Sequence, residues 1–210
     1  MRIIAGEHKG RVLKAPKGDG TRPTTDRVRE SLMSMLASAR GGFDDAVVLD
    51  AFAGSGALAL EALSRGAAAA CLVERDGAAA KVVEANARLL GYGSDRARVR
   101  RADVLKAAVP RMGEPYDLVF LDPPYATDPA DVLALVARLA AAGLLTGDAL
   151  VSYEHDAAAS AAVDDLAASA GLAVATRRAW GDTVIDLLRP DGARTKGAEP
   201  PATPHEEETR

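Results

Sequence analysis

From residue 46 to residue 188 the chain alternates short apolar runs with amphipathic stretches, and this period constrains the fold more than any other feature. Runs of Val, Leu and Ala without polar alternation need cover on both faces, which places them in a parallel sheet with helices packed on either side. Strands are predicted at 46–51, 70–74, 97–101, 117–121, 148–153, 172–177 and 183–188, and helices at 56–65, 77–90, 129–141 and 157–170. The last run, "DTVIDLLR", follows its predecessor across the short turn "RAWG", so the final pair is expected to be an antiparallel hairpin at one end of the sheet. The fold class is therefore α/β, with a mostly parallel seven-stranded sheet.

The segment "VVLDAFAGSGALALEAL" reads as a strand, a glycine turn and a helix. Gly54 and Gly56 allow a sharp turn and a close approach of backbone N–H groups to a ligand. With Ala59 the spacing fits GxGxxA, and Glu74 closes the next strand about 20 residues on, where a carboxylate accepts hydrogen bonds from a ribose diol. An adenosine-containing cofactor is implied, and the glycines alone do not choose between a nicotinamide dinucleotide and S-adenosylmethionine. Asp50 tips the choice: at the strand end before the glycines its charge would repel a pyrophosphate and attract the amino group of S-adenosylmethionine. Asp103, in "RRADVL", closes the third strand and either accepts from an adenine amino group or caps a helix.

"FLDPPYATDP" adds the reactive end. Asp122 and Pro123 each precede a proline, so both are held extended, while Pro123 and Pro124 have φ fixed. The resulting stiff loop leaves the carboxyl end of the fourth strand, the edge at which open α/β sheets bind ligands. A rigid acceptor suits an exocyclic aromatic amine, a poor nucleophile because its lone pair is delocalised. If the Asp122 carboxylate and the Pro123 carbonyl accept its two N–H hydrogens, the nitrogen pyramidalises and its developing positive charge is stabilised. Tyr125 would stack on the base and hold it in line.

Length and composition set the frame. The 210 residues suffice for one domain with a small appendage, and 48% hydrophobic with 27% charged residues is a globular balance. No apolar stretch has the length of a spanning helix and the N-terminus lacks a signal-peptide pattern, so no membrane partner and a cytoplasmic location are expected. One cysteine and three scattered histidines give no disulfide and no metal spacing. The net charge of −4 hides an asymmetry, since the first 30 residues carry eight Lys/Arg against four Asp/Glu. Residues 2–14 read as a hairpin in which Arg2, Lys9, Arg11 and Lys14, with Lys17 after it, are candidate phosphate contacts. Thr24 or Thr25 is placed to cap a helix from Asp26 to Ala39, with Val28, Leu32, Met35 and Leu36 on one side. Residues 190–210, rich in Pro and Glu, read as a disordered acidic tail. His155 is read as a surface histidine, and Trp180 as a core residue capping a turn.

Together, "DAFAGSGALALEA", "LVERD", "RADV" and "FLDPPY" resemble the class I S-adenosylmethionine-dependent methyltransferases that modify exocyclic or amide nitrogens. With "MRIIAGEHKGRVLKAP", "TRPTTDRVRESLMSML" and "WGDTVIDLLR", residues 1–189 resemble the RsmD family, which methylates the N2 of one guanine in small-subunit ribosomal RNA. Met33 departs from the aromatic residue that relatives commonly carry there. The resemblance implies a bacterial source and a Rossmann-like sheet whose last strand is inserted antiparallel. By motif position it assigns Arg22, Pro23, Thr24, Asp50, Ala51, Gly54, Gly56, Glu74, Arg75, Asp103, Val104 and Asp122 to the cofactor, and Asp122, Pro123, Pro124 and Tyr125 to the target base. Three segments follow: an N-terminal extension over 1–20, a methyltransferase domain over 21–189 and the tail. The implied partner is 16S ribosomal RNA or the small-subunit particle, met by a monomer. Rivals are a DNA adenine-N6 methyltransferase, which would need a larger recognition region, and a regulatory module that binds an adenosine cofactor without catalysis.

Overall fold

The computed structural model describes residues 1–16 and 26–192. Helix α1 (Asp26–Arg40) precedes β1 (Val47–Asp50), α2 (Ala57–Ser64), β2 (Ala69–Glu74), α3 (Gly77–Leu89) and β3 (Ala97–Arg101). Then come β4 (Tyr116–Leu121), α4 (Pro129–Ala141), β5 (Leu145–Asp156), α5 (Ser160–Ser169), β6 (Leu172–Trp180) and β7 (Thr183–Pro190). Seven strands form one sheet in the order β3-β2-β1-β4-β5-β7-β6, parallel except for β7, which runs antiparallel to both of its neighbours. Strands β1 to β5 have near-continuous burial except β3, the edge strand, whose Arg98, Arg100 and Arg101 are exposed. The chain order reverses between β1 and β4, so the carboxyl ends of these two strands diverge into a crevice.

Both sheet faces are covered. Helices α1, α2 and α3 pack one apolar layer around Leu32, Leu60, Leu63, Leu72 and Val83, and α4 and α5 pack the other around Val132, Val136, Val119, Val151 and Val163. Local chemistry starts the helices where expected: Asp76 accepts the Ala78 and Ala79 N–H groups at the head of α3, and Asp128 accepts that of Ala130 ahead of Pro129 in α4.

Several details differ from the sequence reading. The buried side of α1 is Arg29, Leu32, Met33 and Leu36, with Val28 and Met35 at its margin. Strand β5 runs longer than expected at both ends, with a register irregularity against β4, and α5 starts only after a 3₁₀ turn at Ala157–Ala159. Pro190 ends β7 and so belongs to the sheet and not to the tail, while residues 193–210 lie outside the described residues. The N-terminal hairpin forms as expected but short, with one antiparallel bridge from Arg2 to Val12 and backbone bonds from Ile3 N–H to the Arg11 carbonyl, Gly10 N–H to the Ile3 carbonyl and Leu13 N–H to the Met1 carbonyl.

The extension is fixed by docking as well as by its own short ladder. Ile3 and Leu13 are buried, and the Ile4 and Ala5 N–H groups donate to the fully buried Glu61 carboxylate at 2.7 and 2.9 Å. Ser64 Oγ donates to the Ala5 carbonyl and accepts from the His8 N–H. Asn86 takes the Lys14 N–H and donates to the carbonyls of Lys14 and Ser55, tying the extension to α3 and to the glycine turn. Polar groups buried in α2 and α3 thus satisfy the backbone groups of Ile4, Ala5, His8 and Lys14 that the hairpin itself leaves open.

Candidate active site

The sheet's carboxyl edge opens into a cavity of about 590 Å³. Its walls are the ends of β1, β2, β3 and β4 with the loops that follow, the start of the extension at Met1, residues Ala15 and Pro16, Arg29 from α1 and Glu154 from β5. Asp50, Ala51, Gly54, Glu74, Arg75, Asp103, Val104, Asp122, Pro123, Pro124 and Tyr125, all expected from sequence, share this one space.

Asp50 is 1% exposed at the end of β1. Its Oδ2 accepts the Ala59 N–H at 3.3 Å, and its Oδ1 is buried with no hydrogen-bond partner among the described residues. Burial raises its pKa from the ordinary 3.8 to about 7, reinforced by the Asp122 and Glu74 charges and opposed by the backbone donors Ala59 and Phe52. Burial likewise raises Asp122 to about 6. With Glu74, Asp103 and Glu154 the cavity gathers five carboxylates, against Arg29 and Arg75 among the described residues. Such a wall attracts a cation and repels a pyrophosphate. An orphaned, buried carboxylate oxygen has the chemistry to receive an ammonium group, so the residues present fit S-adenosylmethionine.

Gly54, on the cavity wall, and Gly56, off it, also carry structural duties. The Gly54 N–H donates to Glu74 Oε2 at 2.8 Å, so it braces a neighbouring acid. Gly56 is not on the cavity wall; it caps α2 with φ of 80°, and a Cβ there would meet Val83 at 3.0 Å and Leu72 at 3.1 Å. Close helix-to-sheet packing requires this glycine. Glu74 also accepts the Asp76 N–H at 2.7 Å, which leaves further lone pairs on each oxygen for a ligand hydroxyl. Asp103 accepts the Leu105 N–H at 3.1 Å and organises a turn, not a helix, while still lining the cavity.

Tyr125 is 55% exposed at the cavity mouth, and its hydroxyl lies 3.2 Å from Thr183 Oγ1 at the start of β7. Arg2, Lys9, Arg11 and Lys14 are exposed on the docked extension and line no part of the cavity. Lys17, Arg22, Pro23 and Thr24 lie outside the described residues, as does the expected cap at Thr24 or Thr25. His155 is not a surface residue. It is buried, with Nε2 2.9 Å from Asp186 Oδ2, because β5 and β7 bring the two together inside the sheet's far half. Trp180 is partly buried against the first core layer at the end of β6.

Two charged wall residues escaped the sequence reading. Arg29 is 1% exposed; its guanidinium donates to Asp26 Oδ1 at 3.0 Å and to the Arg2 carbonyl, joining α1 to the extension. Its only sequence signal was a helical spacing matching Leu32 and Leu36, which an arginine disguises. Glu154 ends the apolar run "ALVSYE", and an acid closing a strand is the same signal that singled out Asp50, Glu74 and Asp103.

The family model described as conserved hypothetical protein 95 matches residues 1–189. Ribosomal RNA small subunit methyltransferase D of Escherichia coli K12 is 46% identical over 125 residues, 60% of this chain and 60% of that protein's length. The Bacillus subtilis protein YlbH is 40% identical over 158 residues, 74% of this chain and 83% of its own. Among solved structures, the Escherichia coli protein yhhF superposes with a TM-score of 0.71 at 34% identity, covering 91% of this chain and 98% of that one. A Pyrococcus horikoshii protein at 20% identity and TM-score 0.66 shares the fold. With the model spanning nearly all of its sequence, the chain belongs to the conserved hypothetical protein 95 family, the RsmD family expected from its motifs.

Proposed function

We propose that this chain transfers a methyl group from S-adenosylmethionine to the exocyclic N2 of a guanine in the 16S RNA of the small ribosomal subunit. One observation carries the reading: the Asp122–Tyr125 loop opens into the same cavity as the orphaned Asp50 carboxylate, Glu74 and Asp103. The name of the Escherichia coli relative supports the RNA class. When bound, the cofactor supplies a methyl group already activated on a sulfonium. Asp50 would hold its ammonium, Glu74 its ribose hydroxyls and Asp103 its adenine.

At the target, Asp122 and the Pro123 carbonyl accept from the amine and localise its lone pair, and Tyr125 stacks on the ring. Once methylated, the amine nitrogen would shed one proton. Asp122, raised to about 6, is a competent acceptor for that proton. Positioning supplies most of the acceleration. The base must be unpaired or flipped to reach the edge of the sheet.

The test incubates the protein with methyl-labelled cofactor and, separately, small-subunit particles, free ribosomal RNA and duplex DNA. Label on guanine N2 of the RNA is the expected result, and label confined to adenine N6 of DNA refutes it. Asp122→Ala is expected to abolish transfer while retaining S-adenosylhomocysteine binding.

A further inference from the structure

Glu154 sits beside the amine-gripping loop on the neighbouring strand. Strands β4 and β5 run parallel with Leu121 opposite Tyr153, so Asp122 and Glu154 are the next residues out, side by side at the carboxyl edge. Adjacent strands lie about 5 Å apart. Both residues line the cavity. Tyr125 leaves the end of β4 and touches Thr183, which pairs with Asp156 on the far side of β5. Its side chain therefore crosses β5 near Asp156, two residues beyond Glu154 on the same strand.

A stacked base under Tyr125 meets two carboxylates next to each other. The Watson–Crick edge of guanine offers two adjacent donors, N2–H₂ and N1–H, at a matching spacing. Adenine offers an amine beside N1, an acceptor whose lone pair would oppose a carboxylate. Resting on the guanine-N2 reading above, we propose that Glu154 is the specificity residue of the site, accepting the guanine N1–H while Asp122 holds N2. A carboxylate has about four lone-pair positions, so Glu154 accepts this hydrogen bond in addition to any it makes within the protein.

The decisive probe is 2-aminopurine, which keeps the N2 amine and the ring but carries a lone pair at N1. The guanine labelled by the wild-type protein is mapped, and RNA with 2-aminopurine at that position is assembled by ligation. The wild-type kcat/KM is expected to be about 10- to 100-fold lower on this RNA than on the guanine RNA, the scale of one well-formed base contact. Glu154→Gln, whose amide both accepts and donates, is expected to bring the two substrates within a few-fold of each other, with S-adenosylhomocysteine affinity unchanged. Equal wild-type rates on the two RNAs overturn the proposal, as does an unchanged ratio in Glu154→Gln. If that variant loses S-adenosylhomocysteine binding, Glu154→Asp replaces it, with the same narrowing expected and an unchanged ratio again overturning the assignment. A wild-type protein that labels no guanine N2 overturns the proposed function and this inference together, whereas guanine labelling without N1 discrimination overturns the inference alone.

Discussion

Asp50 gives one carboxylate oxygen to the Ala59 N–H at 3.3 Å and keeps the other buried without a partner among the described residues. Each tenfold change in proton affinity is worth about 1.4 kcal/mol, so raising this carboxyl from 3.8 to about 7 costs the ionised folded state on the order of 4 kcal/mol. Between those values the folded protein binds more protons than the unfolded chain. Stability should therefore fall as pH rises from about 4 to 7 and level off above. Asp50→Asn should flatten that fall in urea unfolding measured at stepped pH, and should raise stability at pH 7.5. The same variant should lose S-adenosylhomocysteine affinity, whose wild-type value strengthens up to about pH 7 and then stays constant. A persisting slope in the variant would assign the titration elsewhere.

Gly6 tests whether docking holds the extension. Its φ is 83°, and a Cβ would lie 1.7 Å from the Ser64 carbonyl oxygen. Gly6→Ala should cost about 2 kcal/mol or more. Gly10 has a similar φ of 86° but open space around it, so Gly10→Ala should cost only about 1 kcal/mol from conformation. Chemical denaturation of the two variants side by side measures the difference.

Tyr125 separates stacking from tethering. Tyr125→Ala should lower kcat/KM for RNA roughly 5- to 150-fold, the equivalent of about 1–3 kcal/mol of base stacking. Tyr125→Phe keeps the ring and loses only the contact to Thr183, so it should stay within about 5-fold. Neither should change S-adenosylhomocysteine affinity in calorimetry.

Asp186 is fully buried and accepts from Arg177 at 2.7 Å and from His155 at 2.9 Å. Burial pushes its carboxyl up, but the Arg177 and His155 hydrogen bonds together outweigh it and hold the pKa below 3.8. The stability it supplies is present above pH 3.8 and is lost as pH falls through the lower folded value. Asp186→Ala leaves the buried His155 ring nitrogen without its acceptor while Arg177 keeps Asp164, and should cost about 1–3 kcal/mol near neutrality. The penalty should shrink in acid, as thermal melts across pH will report.

Lys9 and Arg11 project from the docked extension, exposed and away from the cavity. If they hold phosphates, changing both to Ala should weaken RNA binding and reduce the slope of log affinity against log salt by about 1–2. Cofactor-product binding should be unaffected. Unchanged RNA affinity would move the grip elsewhere on the surface.

The alternation of buried runs and amphipathic helices determined the architecture by itself, because a parallel strand must be apolar on both faces and that demand is written along the chain. The acids at strand ends were legible too: Asp50, Glu74 and Asp122 each interrupt an apolar run where the sheet stops, Asp103 follows the edge strand, and sheets of this topology bind at that edge. The proline pair announced a stiff loop because it acts on its own backbone. The caps Asp76 and Asp128, which the structure shows, have partners only two or three residues away and so are local features of the same kind.

What tertiary structure decided depends on partners far apart in sequence. Glu61, Ser64 and Asn86 look like ordinary helix residues until the extension arrives from 56 to 72 positions away. Gly54 braces Glu74 across 20 residues, Gly56 yields to Val83 and Leu72, and His155 vanishes into the sheet because β7 inserts beside β5 and brings Asp186. Register alone put Glu154 next to Asp122. A sequence states how each segment treats water and its own backbone; which buried polar groups meet is settled only when the strands are ordered, since an unpaired one costs too much to leave.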